Sequence, residues 1–301
     1  MRRALQALLL AGLGAGMLAG AHVRAESTLE KIRASREIVI GYRADATPFS
    51  YDVPGQTQPV GYAIDLCKSI AEAVRNELRL PALAVRYLAV DNTARFPAVT
   101  QGRVDLECAN TTNTRERREQ IGVAFTVPHY IAGTRMLVHT DAGLQRLEDM
   151  RGKRIATTRG TTSVGIIRTK NAEMGLDLKI NECKDDKECF DLLLARQVDA
   201  YLMDDILLYS FRASAPEPQS LQVVGKFLSI EPLAIMLRKD DPAFKKLVDA
   251  EMLRLIYERR LQQSYRQWFE SPIPPQGRNL RVPMSYLLKD FLKFPSDKVG
   301  D

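Results

Sequence analysis

Val104-Asp105-Leu106-Glu107-Cys108-Ala109-Asn110-Thr111-Thr112-Asn113-Thr114-Arg115-Glu116-Arg117-Arg118 is the stretch on which the reading of this chain turns. A short apolar segment (Val104, Leu106, Cys108) gives way abruptly to hydroxyls, amides and then guanidinium groups. Thr111, Thr112 and Thr114 each carry a hydroxyl that can bond singly or cap a helix start. Arg117 brings a planar fork that matches a carboxylate or phosphate two bonds at a time. A strand end that becomes a donor-rich helix start suits a small anion. A capped helix with solvated arginines fits the same letters, so the flanking chain has to decide.

Outward from this stretch, strand-length apolar runs alternate with amphipathic helical patterns. Upstream, 37–41 reads as a strand, and 63–78 as a helix with apolar Ile64, Leu66, Ile70, Ala71 and Val74. A strand over 84–90 and a helix over 95–101 then lead to a strand over 104–108. Downstream, 134–139 reads as a crossover strand. A second cycle follows, with strands over 154–158, 178–181 and 200–203 and helices over 163–172 and 187–195. Val223 and 233–237 resume strand character, 242–268 is largely helical, and 271–281, with Pro272, Pro274, Pro275 and Gly277, reads as irregular. Such alternation predicts an α/β protein with parallel strands. Two similar cycles without a fixed-period repeat, in a chain of 301 residues, predict two lobes.

The first 25 residues read as an address label. Arg2 and Arg3 precede an uncharged run from Ala4 to Ala21, and Val23-Arg24-Ala25 supplies small residues before a cut. No cysteine stands near that cut, and no later segment approaches a membrane-spanning apolar length. The expectation is a cleaved, exported, soluble protein. Losing Arg2, Arg3 and Arg24 lowers the formal charge from +6 to +3. So small a charge, with acids and bases interspersed, does not indicate a nucleic-acid partner.

Four cysteines in an exported chain invite pairing. Cys183 and Cys189 are close enough in sequence for a loop-to-helix bridge. Cys67 and Cys108 form a second pair or remain as two buried thiols. No Cys-x-x-Cys spacing supports a zinc site, and the two histidines after residue 25, His129 and His139, lack metal-ligand spacing. No nucleophile elbow, Ser-His-Asp set or Walker loop is evident, and no cofactor is expected.

The site-like residues fall at strand ends, where open α/β sheets hold their ligands. Arg43 follows the first strand, Arg95 opens a helix after Asn92-Thr93, and Arg117 follows the strand ending at Cys108. In the second cycle, Arg159-Gly160-Thr161-Thr162-Ser163 stands between strand and helix, and Met203-Asp204-Asp205 ends an apolar strand. A ligand with two carboxylates and one ammonium satisfies this set: the arginines take the anions and Asp204 the cation. Each residue also has an ordinary alternative. Arg43 fits a surface charge, Arg95 a helix start, Asp204 or Asp205 an N-cap, and Thr161 or Thr162 a helix cap. Tyr42, Phe49 and Tyr51 fit the core.

The chain resembles the periplasmic polar amino acid solute-binding proteins of ABC transporters, in particular their glutamate/aspartate branch. Matching segments are Gly41-Tyr42-Arg43 with Pro48-Phe49-Ser50-Tyr51, Gly61-Tyr62 with Asp65, Asn92 to Pro97, and Asp105 to Arg117. Further along come Gly160-Thr161-Thr162-Ser163, Met203-Asp204-Asp205, Met236 to Pro242, and Trp268-Phe269 with Pro272-Ile273-Pro274-Pro275. The resemblance implies a two-lobed periplasmic binding-protein fold of type II, with two mixed sheets joined by two crossover strands. Lobe one would comprise 26–132 and 233–301, and lobe two 133–232.

It further implies that Arg117, Thr112 and Thr162 hold the ligand's α-carboxylate. Asp204 would hold the α-ammonium, with a carbonyl near Asn110, and Arg43 and Arg95 the side-chain carboxylate. Lobe closure would capture the ligand, and a membrane permease would receive it from a monomeric carrier. Two departures from the branch stand out. Asn110 replaces an expected serine, and Asp186 stands where a histidine is frequent, so that acid must point away or meet a lysine. The alternative within this fold is a periplasmic dehydratase acting on a small carboxylic acid, with Asp204 and Glu107 as a carboxylate pair. A lyase with an added domain or a receptor input module fits less well, because neither an added domain nor a membrane segment is seen before the last residue, Asp301.

Overall fold

Ile38, Val39 and Ile40 are all buried, so the strand Glu37–Tyr42 is covered on both faces. A continuous apolar strand of this kind belongs inside a parallel sheet flanked by helices. In the computed structural model, which describes residues 27–299, it pairs in parallel with Ala84–Ala89 on one side and Leu106–Glu107 on the other. Met236–Arg238 then runs antiparallel to both Leu106–Glu107 and Val123–Phe125, completing a five-stranded mixed sheet. The address-label segment, 1–25, lies outside the described residues.

The second sheet is ordered Leu221–Val224, Tyr130–His139, Ala200–Asp204, Arg154–Thr158, Lys179–Cys183. Arg154–Thr158 is parallel to both its neighbours, and Tyr130–His139 is antiparallel to both of its own. Ile230–Leu233 pairs antiparallel with the first half of Tyr130–His139, from Gly133 opposite Ile230 to Tyr130 opposite Leu233. The chain leaves the first sheet along one of these two strands and returns along the other.

The elements expected from the sequence are present, with differences of detail. The strand expected over 104–108 is ladder-paired only at Leu106–Glu107, because Asp105 turns its carboxylate to the Val39 N–H and the Lys31 ammonium. The run 233–237 is interrupted at Ala234 and Ile235, where the chain changes sheets. There the Ala234 N–H donates to the Thr111 carbonyl and the Ile235 N–H to the Thr126 hydroxyl. The tail expected to be irregular forms a small hairpin, Pro272–Ile273 against Arg278–Asn279.

Helices follow their apolar spacing. Tyr62–Glu77 buries Ile64, Leu66, Cys67, Ile70, Ala71 and Val74 on one face. The helical run over 242–268 is two helices, Pro242–Tyr257 and Arg260–Phe269, separated at left-handed Arg259. Asp241 caps the first of these and also accepts the Thr28 N–H at 2.5 Å, pinning the start of the described chain to its last third. Phe49 and Tyr51 are buried, while Tyr42 is half-buried. Phe49, Tyr62, Tyr130, Tyr265 and Phe269 pack together at ring-centroid distances from 4.2 to 6.4 Å beside the outgoing crossover.

Both cysteine pairs are disulfides. Cys67–Cys108 ties helix Tyr62–Glu77 to the segment quoted first, and Cys183–Cys189 closes a short loop. By loop-closure entropy alone, the longer loop restrains the unfolded chain by about 4 kcal/mol and the shorter by about 2 kcal/mol. Among the described residues no helix is long and apolar enough to cross a membrane.

Candidate functional site

The parallel strands of both sheets deliver polar side chains to the boundary between the sheets. Arg43, Asn92 and Asn110 follow strands of the first, and Thr162, Asp186 and Asp204 follow or end strands of the second. A cleft of about 1350 Å³ opens there, lined among others by Phe96, Thr112, Arg117, Gly160, Thr162 and Glu231.

Arg117 does not begin an ordinary helix. It starts a five-residue π-helical turn, Arg117–Ile121, and is buried while its neighbours Arg115 and Glu116 face solvent. Its Nη1 donates to the Thr112 carbonyl at 2.7 Å. Its guanidinium carbon lies 5.1 Å from the Phe96 ring centre, and that of Arg95 lies 4.9 Å from the same ring. One aromatic ring therefore positions two cations. Burial, with Arg117 close by, lowers the Arg95 guanidinium to about 9. Burial likewise lowers Arg117, opposed by Glu231, Glu107 and Asp204.

Arg95 makes its side-chain bonds away from the helix it opens. Nη1 donates to the Thr111 hydroxyl at 2.7 Å, and Nη2 reaches across to the Gly160 carbonyl at 3.2 Å. The helix start itself is served by Asp91, which accepts from the N–H groups of Thr93 and Ala94.

Arg43 is only 2% exposed. Nη1 donates to Asn92 Oδ1, while Nη2 donates to Asp45 at 2.6 Å and to Asp186 at 3.2 Å. Burial alone would lower this guanidinium, but Asp186, Asp45 and Glu107 raise it above its ordinary value. Asp186 therefore neither points away nor meets a lysine: it pairs with an arginine from the other sheet.

Asp204 stands at the start of helix Asp205–Ser214 without capping it; Asp205 bonds the Ile206 N–H instead. The Asp204 carboxyl is freed from that duty and takes a hydrogen bond from Asn110, whose Oδ1 remains without a partner. Burial, then Glu231 and Asp205, push Asp204 well above the usual carboxylate range. The Thr161 hydroxyl bonds back to the Thr158 carbonyl, and that of Thr162 donates to Glu231 Oε2 at 2.9 Å.

Arg43, Arg95, Asn110, Thr112, Arg117, Thr162 and Asp204 thus all lie at one boundary. Sequence reasoning missed Glu231 and Asp45. Glu231 is buried in the returning crossover, a lone acid in the run Ile230-Glu231-Pro232-Leu233-Ala234-Ile235, and that isolation was its readable signal. Asp45 sits two residues from Arg43 and left no periodic mark. Among the described residues no cluster of His, Cys, Asp and Glu is arranged to hold a metal ion. His129 is buried with both ring nitrogens unpartnered by side chains, and burial lowers it to about 3.

Residues 38–271 match the family model of the bacterial extracellular solute-binding proteins, family 3. The chain belongs to that family. It is 39% identical to the L-glutamate/L-aspartate-binding protein of Pseudomonas aeruginosa, over 91% of this chain and 90% of that one. It is 35% identical to the glutamate/aspartate import solute-binding protein of Escherichia coli K12, over 99% of this chain and 98% of that one. Among solved structures, an ancestral arginine-binding protein bound to glutamine superposes with a TM-score of 0.68 at 26% identity, covering 77% of this chain and 97% of its own. The P235GK mutant of ArgBP from T. maritima superposes with a TM-score of 0.70 at 23% identity, over 80% of this chain and 99% of its own, a likeness of fold.

As a family 3 solute-binding protein, in the glutamate/aspartate branch, the chain is a periplasmic binding protein and not an enzyme. It binds a small amino acid and works with an ABC permease. The dehydratase alternative falls with that membership.

Proposed function

We propose that this protein captures an acidic amino acid, L-glutamate or L-aspartate, between its two lobes and delivers it to the permease as a monomer. One observation carries the reading: of three buried arginines, Arg95 stands within electrostatic reach of both Arg43 and Arg117, and Arg117 within reach of buried Asp204. A ligand with two anionic ends and one cationic group answers that arrangement. The glutamate and aspartate for which the Pseudomonas aeruginosa and Escherichia coli relatives are named support it.

In this reading Arg117, Thr112 and Thr162 bind the α-carboxylate, and Asp204, steadied by Asn110, binds the α-ammonium. Arg43 and Arg95 bind the side-chain end. Lobe one is 26–132 with 233–301, and lobe two is 133–232. Anchors on both lobes make contacts only when the lobes meet, and this differential contact drives closure.

Isothermal calorimetry of the purified protein against the twenty amino acids tests the reading. Arg117→Ala is expected to abolish binding of every amino acid, since losing one partner of a buried charge pair costs about 3–5 kcal/mol. Arg43→Ala is expected to weaken glutamate and aspartate while sparing neutral ligands. Equal loss of both ligand classes overturns the assigned roles.

A further inference from the structure

Helix Asp186–Leu194 is capped by Asp185, whose carboxylate accepts the Glu188 N–H at 2.8 Å. Asp186 is therefore relieved of capping and is fully buried. It is held from two sides: the Tyr201 hydroxyl donates to Oδ1 at 3.2 Å, and Arg43 Nη2 donates to Oδ2 at 3.2 Å. The Cys183–Cys189 disulfide closes the loop that carries it. Nothing about this carboxylate is incidental to helix or surface.

A guanidinium has five N–H donors. On Arg43 both Nη2 hydrogens are committed to carboxylates, Asp45 and Asp186, and one Nη1 hydrogen to Asn92. A ligand carboxylate docking on Arg43 would be the third there, beside Asp45 and Asp186, and like charges in one buried site oppose each other. A carboxamide meets no such opposition. Its oxygen accepts from arginine while its N–H₂ donates to Asp186. Arg95 offers the acceptor end a further donor, a buried Nε without a partner.

We propose that Asp186 is a specificity-determining residue that shifts the distal subsite away from a carboxylate and toward a carboxamide, so that glutamine and asparagine compete with glutamate and aspartate for this protein. The proposal rests on the reading of Arg43 as the anchor for the ligand's distal group. Because Asp186 also bridges the lobes, removing it changes the cost of closure for every ligand equally. The affinity ratio between an acid and its own amide cancels that common cost.

The test is calorimetry of wild type, Asp186→Asn and Asp186→Ser with L-glutamate, L-glutamine, L-aspartate and L-asparagine, with near-ultraviolet circular dichroism to identify folded variants. In whichever variant folds, the preference for each acid over its amide is expected to rise at least tenfold relative to wild type. An unchanged or lower preference overturns the proposal while leaving the acidic-ligand reading intact. If wild type binds no acid but a variant does, the proposal stands and the acidic-ligand reading of the native chain falls. If neither wild type nor a folded variant binds an acid, both fall.

Discussion

Buried ions in this protein are answered by partners that no local pattern announces. Arg43 stands out in the sequence by its place after a strand, yet its partner Asp186 is 143 residues away. One chain read alone carries no mark of such a pairing. Asp204 was legible as a carboxylate at a strand end, but its freedom from capping was not, because that depends on Asp205 taking the Ile206 N–H. Burial, with Glu231 and Asp205 beside it, raises Asp204 above its ordinary value of 3.8. The folded state then binds that proton more tightly than the unfolded chain. Its stabilising share is complete below the ordinary value and is lost as pH climbs through the raised one. Between about pH 4 and pH 8 the urea midpoint of the ligand-free wild type is expected to fall relative to that of Asp204→Asn, a difference in which the opposite, rising share of His129, which burial lowers to about 3, cancels. Asp45, Asp105, Glu107, Asp205 and Asp249, which burial also raises, contribute to the slope that both proteins share.

Most strands and helices were legible from apolar spacing, since burial on one or both faces writes itself into the letters. Boundaries failed where side chains replace the ladder, as at Asp105, or where a strand changes partners, as at Ala234 and Ile235. The turn Arg159-Gly160-Thr161 was read as a ligand-facing junction, and the structure adds what it touches. Gly160 has φ +76°, and a Cβ there would lie 2.9 Å from the Asn92 carbonyl oxygen on the opposite lobe. A left-handed alanine costs about 1–2 kcal/mol wherever it stands. The clash with Asn92 exists only while the lobes are together. Gly160→Ala is therefore expected to weaken ligand binding by about tenfold or more, a loss of at least ~1.4 kcal/mol, beyond its effect on unfolding. Paired calorimetry and urea unfolding separate the two.

Two lobes were readable from length and from the repeated cycles, and their crossing from the resemblance. The late strand of lobe one was read too, but not its place inside the first sheet. Met236–Arg238 is its fourth strand in spatial order and joins Leu106–Glu107 to Val123–Phe125. A chain stopped at residue 235 lacks that link and both long helices that follow. Hydrogen exchange on such a truncation is expected to show amides of 37–125 largely unprotected, with protection retained in 154–204, whose strands need no later partner. Protection spread evenly over both regions would contradict this view of the architecture.

That late strand has a meaning for secretion. A polypeptide threaded extended through a narrow pore must not harden before its tail has emerged from the ribosome. Here the whole of 43–235 separates the sheet's opening strand, Glu37–Tyr42, from the one that seals it, Met236–Arg238. The half of the carrier made first is thus the half that stays threadable longest, a delay supplied by connectivity itself.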